Sequence, residues 1–259
     1  MIIVKTPFRV SFFGGGTDLK SFYSLEDGCV ISSTIDKYVY ILVKRQKGII
    51  EKKYKINWKI NEYIDNIEDI KHPIIRETLK YFNIKYPVEI ASFADIPAST
   101  GLGSSSAFAV GLVHALLLLE KKPISKKKIA NIAATIEVDI LKRSIGKQDH
   151  YASSYGGFNS YTFKNNENVI VKSLKINKKV FSMLENNLIM LYTGIKRDAH
   201  KVLKRQHNTK NIKAYRDLKK LKKFCLNFLN LYNKKNFFFS FGKNLDDYWS
   251  IKKNISKGI

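Results

Sequence analysis

Cysteine is scarce. Only Cys29 and Cys225 occur in 259 residues, far apart and without metal-ligand spacing. That excludes a metal-finger scaffold and points to a reducing, cytoplasmic setting. Long apolar runs are lacking too. The most apolar stretch, residues 107–119, is interrupted by His114 and falls short of the ~20 residues that a membrane-spanning helix needs. No secretory signal opens the chain, since Met1-Ile-Ile-Val4 leads straight into a strand-like segment. Internal repeats and long low-complexity segments are absent. These absences predict a soluble globular protein with no membrane partner, and a hydrophobic content of 44% gives it ample material for a core.

Acidic residues are also short: 22 against 46 basic ones, a formal net charge of +24. Such an excess raises the question of nucleic acid. It is mostly lysine, however, accompanied by abundant Asn, Ile, Tyr and Phe, the mixture that AT-rich codons produce. The lysines are spread along the chain, densest at 121–128 and 196–235, and no recognisable nucleic-acid motif accompanies them. A basic surface favours phosphorylated, anionic small molecules, so no specific nucleic-acid partner is expected.

What the chain does have is glycine in two telling places. Residues 2–13 read as a strand, with Pro7 at an edge or bulge, running into Gly14-Gly15-Gly16-Thr17-Asp18. A strand-like run follows within 30–43, then a polar, hairpin-like stretch around Gly48 over 44–58. Helical periodicity over 74–82 starts behind Pro73, a residue suited to a first helical turn. A strand over 88–93 leads through Pro97 into Gly101-Leu102-Gly103-Ser104-Ser105-Ser106, and an all-apolar, hence buried, helix comes next.

Strand, glycine loop and helix in that order build an anion site from inward N–H groups and the helix N-terminus. Gly and Ser also fill ordinary turns and caps, so the loop alone favours phosphate only slightly. Two better-known loops are ruled out. A Walker loop needs Lys-Ser/Thr after its last glycine, but Ser104 and Ser105 follow Gly103. A dinucleotide fingerprint needs a third glycine where Ser106 stands.

Ser125 is placed to cap a helix from Lys126 to about Arg143. Ala130, Ala134, Glu137 and Leu141 share one face of it, so Glu137 needs a cation or donors as partner. Asp139, about 200° further round, belongs to solvent. Asp149 falls in a loop, where Asp is usually a turn former. Strands over 158–163 and 169–174 close this domain, and 164–179 is the best boundary. A strand at 189–192 and three helical segments form the second region, with Phe237-Phe-Phe239 and Phe241 as core. One strand cannot close a sheet-and-helix layer, so a partner or further chain is expected to complete it.

Taken together, these motifs resemble the superfamily of galactokinase, homoserine kinase, mevalonate kinase and phosphomevalonate kinase, the GHMP kinases. The resemblance rests on Pro7-Phe-Arg9-Val-Ser-Phe-Phe-Gly14-Gly-Gly16-Thr17-Asp18 and on Pro97-Ala-Ser-Thr-Gly101-Leu-Gly103-Ser-Ser105-Ser-Ala107. Galactokinases carry Glu-His where Gly15-Gly16 stand here. The triple-glycine version, with Gly146-Lys-Gln-Asp149 and Tyr155-Gly-Gly-Phe158, is most similar to the D-glycero-D-manno-heptose 7-phosphate kinases.

The resemblance implies an α+β fold of GHMP kinase architecture. Residues 1–178 would form a ribosomal-protein-S5-domain-2-like α/β domain. Residues 179–259 would form an incomplete ferredoxin-like α+β domain, ending before the family's third glycine-rich motif. It implies ATP and Mg²⁺ as cofactors and a small sugar phosphate as substrate. Gly101, Leu102, Gly103, Ser104, Ser105 and Ser106 would wrap the ATP phosphates. Ser105 and Glu137 would hold Mg²⁺, Asp149 would be the base, and Arg9 would stabilise the alkoxide and the transferring phosphoryl group. Gly16, Thr17 and Asp18 would bind sugar hydroxyls, and Arg197 the substrate's own phosphate. A non-catalytic nucleotide- or sugar-binding protein and a kinase for fucose or galactose stand as alternatives, and the oligomeric state stays open.

Overall fold

The computed structural model describes residues 1–194, 212–232 and 237–255. Arg197 lies outside them. The chain divides into two compact units, the first of residues 1–9, 34–143 and 149–156, the second of residues 10–33, 144–148 and 157–259. Strands β1 (Ile2–Phe13) and β2 (Gly28–Arg45) contribute residues to both.

In the first unit β2 pairs antiparallel with β5 (Val88–Ala94), from Val39↔Ala94 to Arg45↔Val88. β5 pairs in parallel with β3 (Tyr54–Asn57), which pairs antiparallel with β4 (Asn61–Ile64). The sheet is therefore mixed. The hairpin expected around Gly48 does not form, because β5 lies between β2 and β3. The Gln46 N–H bonds to Pro87 O, on the β5 side.

Helix α2 (Pro73–Tyr81) begins at the predicted proline, and α3 (Ser104–Leu119) has eleven of its sixteen residues buried. Helix α3 lies so close to the sheet that a Cβ on Gly111 would stand 2.8 Å from both Ile41 Cγ1 and Thr6 Oγ1. Only glycine allows that approach. Val4, Phe8, Ile41, Val43, Ile75, Leu79, Leu112, Leu116 and Ala133 belong to one continuous core here.

Ser125 caps α4 (Lys126–Ala134) as expected, its hydroxyl accepting the Lys128 N–H. The helix predicted to continue to about 143 instead widens into a π-helical segment, Thr135–Ile140. Asp139 is exposed there, as its phase predicts.

In the second unit β2 pairs antiparallel with β6 (Phe158–Phe163), from Gly28↔Phe163 to Ser33↔Phe158. β6 then pairs with β7 (Val169–Ser173). Among the described residues beyond β7 there are three helices, α6 (Lys178–Asn187), α7 (Ile212–Leu231) and α8 (Phe237–Lys252), and no strand. The strand expected at 189–192 is absent. That stretch is irregular, with Ile189 and Leu191 85% and 81% exposed. Among the described residues no strand pairs with it, and a lone strand has nothing to hold it extended.

Of the aromatic core expected near the end, Phe237 and Phe241 are found inside, and the side chains of Phe238 and Phe239 lie outside the described residues. Phe237 and Phe241 are buried with Phe13, Phe228 and Tyr248, and the Phe228 and Phe237 rings meet edge to face at 5.0 Å. No described helix is long and apolar enough to cross a membrane.

Candidate active site

The loop between β5 and α3 takes its shape from three left-handed residues: Ser99 (φ +67°), Gly101 (φ +80°) and Gly103 (φ +77°). Gly103 is the N-cap of α3, and no side chain caps that end. The first-turn N–H groups of Ser104, Ser105 and Ser106 are thus left without a side-chain cap, and such a helix end is able to receive an anion. Ser106 is buried, so its share in such a site is its backbone N–H.

Arg9 fixes the loop from below. Its N–H donates to Leu102 O at 3.3 Å, and its Nη1 donates to Gly101 O at 2.7 Å. The other side of the guanidinium forms a two-point fork on Asp149, Nε to Oδ1 and Nη2 to Oδ2, each 2.6 Å. Asp149 was expected in a loop. It stands instead in the first turn of α5 (Gln148–Tyr155), where a carboxylate suits the positive end of the helix. It also packs against the glycine loop: a Cβ on Gly103 would come within 3.2 Å of its Oδ2.

Glu137 anchors a second cluster in the same unit. It is fully buried. Oε1 accepts from the Ser105 hydroxyl at 2.5 Å and from Arg143 Nη1 at 2.6 Å, while Oε2 meets His150 Nε2 at 2.9 Å. Burial pushes the Glu137 carboxyl pKa upward, but the hydrogen bond and charge of His150, the Ser105 hydroxyl and the Arg143 guanidinium outweigh it and lower the value to about 2.

The π turn shapes this cluster. It adds residues to the turn and changes the helix phase, so that Leu141 N–H bonds to Ile136 O and Arg143 N–H reaches back to Glu137 O. Lys142, left-handed at φ +52°, turns the chain to make that return. Arg143 Nη1 also lies 2.6 Å from Ser105 Oγ. Among the described residues no group of three or more His, Cys, Asp or Glu converges as a metal site. Ser105 Oγ and Glu137 Oε1 do offer two hard oxygens side by side. That fits Mg²⁺, which takes one or two protein oxygens plus phosphate and water.

The second unit carries the other glycine turn. A Cβ on Gly14 would fall 1.8 Å from Cys29 O and 2.8 Å from Cys225 Sγ, so the turn is pressed directly onto β2 and α7. The Thr17 hydroxyl accepts the Cys29 N–H and lies 2.8 Å from Gly14 O, so that side chain is spent on holding the turn. Asp18 is also buried. Oδ1 accepts from Gly16 N–H (3.0 Å) and Gln148 Nε2 (3.2 Å), and Oδ2 accepts from Gln148 N–H (3.1 Å). Gly146 leaves room for it, since a Cβ there would fall 1.8 Å from Oδ2. Ser11 in turn donates to Gln148 Oε1 at 2.8 Å.

Arg9, Gly101, Gly103 and Asp149 therefore meet, as do Ser105 and Glu137, and Gly16, Thr17 and Asp18 form one turn. Sequence reasoning missed Arg143, His150, Gln148 and Ser11. Gln148 and His150 flank Asp149 and could have been suspected from that position. Nothing in the pattern around Arg143 marks it.

Residues 70–157 match the family model for the GHMP kinases N terminal domain. Over 208 residues the chain is 33% identical to the D-glycero-alpha-D-manno-heptose 7-phosphate kinase of Campylobacter jejuni, covering 76% of this chain and 61% of that protein. It is 26% identical over 207 residues to the galactokinase of Pyrococcus furiosus, covering 76% and 54%. The chain thus spans little more than half the length of these curated relatives. In fold it resembles the crystal structure of a D-glycero-D-manno-heptose 1-phosphate kinase from Bacteroides thetaiotaomicron, with a TM-score of 0.79 at 23% identity over 98% of this chain and 79% of that one. The glycine loop, Glu137 and Asp149 all fall within the residues that match the GHMP kinases N terminal domain model.

Proposed function

We propose that this chain is an ATP-dependent sugar kinase. Its substrate is D-glycero-D-manno-heptose 7-phosphate, phosphorylated on the anomeric hydroxyl to the 1,7-bisphosphate for nucleotide-activated heptose and surface glycan synthesis. The observation that carries the reading is the Arg9 fork on Asp149 beneath the Gly101–Gly103 backbone. It sets an oriented carboxylate and a fixed cation against an uncapped helix N-terminus. The heptose specificity draws support from the Campylobacter jejuni relative.

Phosphoryl transfer asks mainly for positioning and charge stabilisation. In this reading Gly101, Leu102, Gly103, Ser104, Ser105 and Ser106 hold the phosphates through backbone N–H groups. Asp149 accepts the proton of the attacking hydroxyl. Arg9 keeps the carboxylate aligned and stabilises charge at the loop. Ser105 and Glu137 would hold Mg²⁺, which when bound shields the phosphate charge. Asp18 and the Gly16–Thr17 backbone bind sugar hydroxyls, with the Thr17 side chain keeping the turn in shape, and Arg197 meets the substrate's phosphate. Residues 1–178 form the nucleotide and substrate domain and 179–259 the second.

Coupled ADP release is the direct assay, with Mg²⁺, ATP and a panel of heptose 7-phosphate, galactose and fucose. Heptose 7-phosphate is expected to turn over fastest, and Asp149→Asn to lower kcat by about 10²–10⁴-fold, the usual worth of a general base. No ADP above background with any sugar would refute the enzymatic reading.

A further inference from the structure

Arg143 bridges the two oxygens proposed to receive the metal. Its Nη1 stands 2.6 Å from Ser105 Oγ and 2.6 Å from Glu137 Oε1, and those oxygens are 2.5 Å apart. A carboxylate oxygen has two acceptor sites. Both sites of Oε1 are taken, one by the Ser105 O–H and one by Arg143, and His150 engages Oε2 from the opposite side. The Ser105 proton can rotate away when Oγ becomes a ligand, but a cation bridging Oγ and Oε1 needs the position in contact with both that Arg143 Nη1 fills.

We infer that Arg143 is the resident counter-ion of the Ser105–Glu137 oxygen pair, and that a divalent cation enters only by displacing it. The inference rests on the proposed assignment of Ser105 and Glu137 to the metal. Two features suit Arg143 to exchange. Its side chain is 29% exposed, whereas Glu137 and His150 are wholly buried. Its Nη2 and Nε have no partner among the described residues, so the guanidinium has donors to offer a phosphate group when Nη1 lets go. His150 meanwhile keeps Glu137 from turning. A buried carboxylate without a cation is costly. Exchange of one cation for another avoids that state.

Mn²⁺ titration of the nucleotide-free protein, followed by electron paramagnetic resonance, tests this on wild type and four variants. Arg143→Gln is expected to bind Mn²⁺ at least about tenfold more tightly than wild type, from removal of a unit charge at contact distance. Lys142→Gln removes the same charge from the neighbouring residue, which has no hydrogen bond or ion pair to either oxygen, and is expected to stay within about twofold. Arg143→Lys keeps the charge and is expected to fall between wild type and Arg143→Gln. Glu137→Gln is expected to abolish the site.

In wild type, Mg²⁺ is also expected to shift the Arg143 guanidinium ¹⁵N signals, which Arg143→Gln identifies by their loss. Thermal unfolding of each variant confirms that it is folded. Equal Mn²⁺ affinity in wild type and Arg143→Gln, or Mg²⁺ binding that leaves the Arg143 signals in place, overturns the inference. If Lys142→Gln matches Arg143→Gln, the effect is long-range charge and displacement is again refuted. Absence of any Glu137-dependent Mn²⁺ site, with or without ATP, sinks the metal assignment itself.

Discussion

Gly101 and Gly103 are alike in backbone and unlike in surroundings, and the difference separates strain from function. Both are left-handed, at φ +80° and +77°. A Cβ on Gly101 would meet nothing within 4 Å, whereas one on Gly103 would press on the Asp149 carboxylate at 3.2 Å. An alanine at either position costs about 1 kcal/mol of backbone strain. Only at 103 must something else move, and what moves is the proposed base. Gly101→Ala and Gly103→Ala are therefore expected to lose similar stability, by about 1 kcal/mol. Gly103→Ala is further expected to lose at least about tenfold in kcat, since small displacements of a reacting group are costly. Urea unfolding read beside ADP release checks both. Equal kcat in the two variants would disprove the contact's importance. At this scale the sequence was legible where a motif is contiguous, as in the glycine loop, but it took for a loop the helical first turn that carries Asp149. It was silent on Arg143, because a return bond through a left-handed Lys142 leaves no periodic mark.

Among the elements, α3 and the capped start of α4 were readable because local chemistry decides them: an all-apolar stretch must be buried, and Ser125 stands where a cap is needed. The π segment at Thr135–Ile140 and the parallel β3–β5 pairing were not, because tertiary contacts decide both. Helix α2 adds a case of its own. Its N-cap is His72, whose side chain accepts the Ile75 N–H and packs between the Trp58 and Phe108 rings. Burial, and then the nearby Arg143 charge, lower its pKa from 6.5 to about 4. A depressed histidine pKa means that the unfolded chain binds the proton first. The stabilisation is full above pH 6.5 and is lost as pH falls towards 4, up to about 3 kcal/mol. Glu137 acts in a lower window, its contribution fading only below its unfolded value of 4.5 towards about 2. Chemical denaturation between pH 7 and pH 4.5 is expected to show a steep loss in wild type. His72→Asn, which still offers a capping oxygen, is expected to flatten that slope. An unchanged slope would exclude His72 as its source.

For the whole molecule the governing number is the net charge of +24. Acidic residues are too few to pair the lysines. Several pairs that do form, such as Lys52–Asp65 and Lys164–Asp27, sit on exposed side chains where each adds little. The folded chain therefore carries a repulsive self-energy that unfolding relieves, and salt screens it. Raising sodium chloride from about 0.02 M to about 0.5 M shortens the screening distance from roughly 20 Å to roughly 4 Å. The urea midpoint of unfolding is expected to rise across that range. The same charge attracts an anionic substrate at long range, so KM for a sugar phosphate is expected to increase with salt while KM for an uncharged sugar holds steady. Stability and substrate capture would then respond to salt in opposite directions. That opposition distinguishes a global field from a local phosphate contact, which would raise KM and leave the midpoint unmoved. A urea midpoint that falls with salt would mean that the attractive pairs outweigh the excess of lysine.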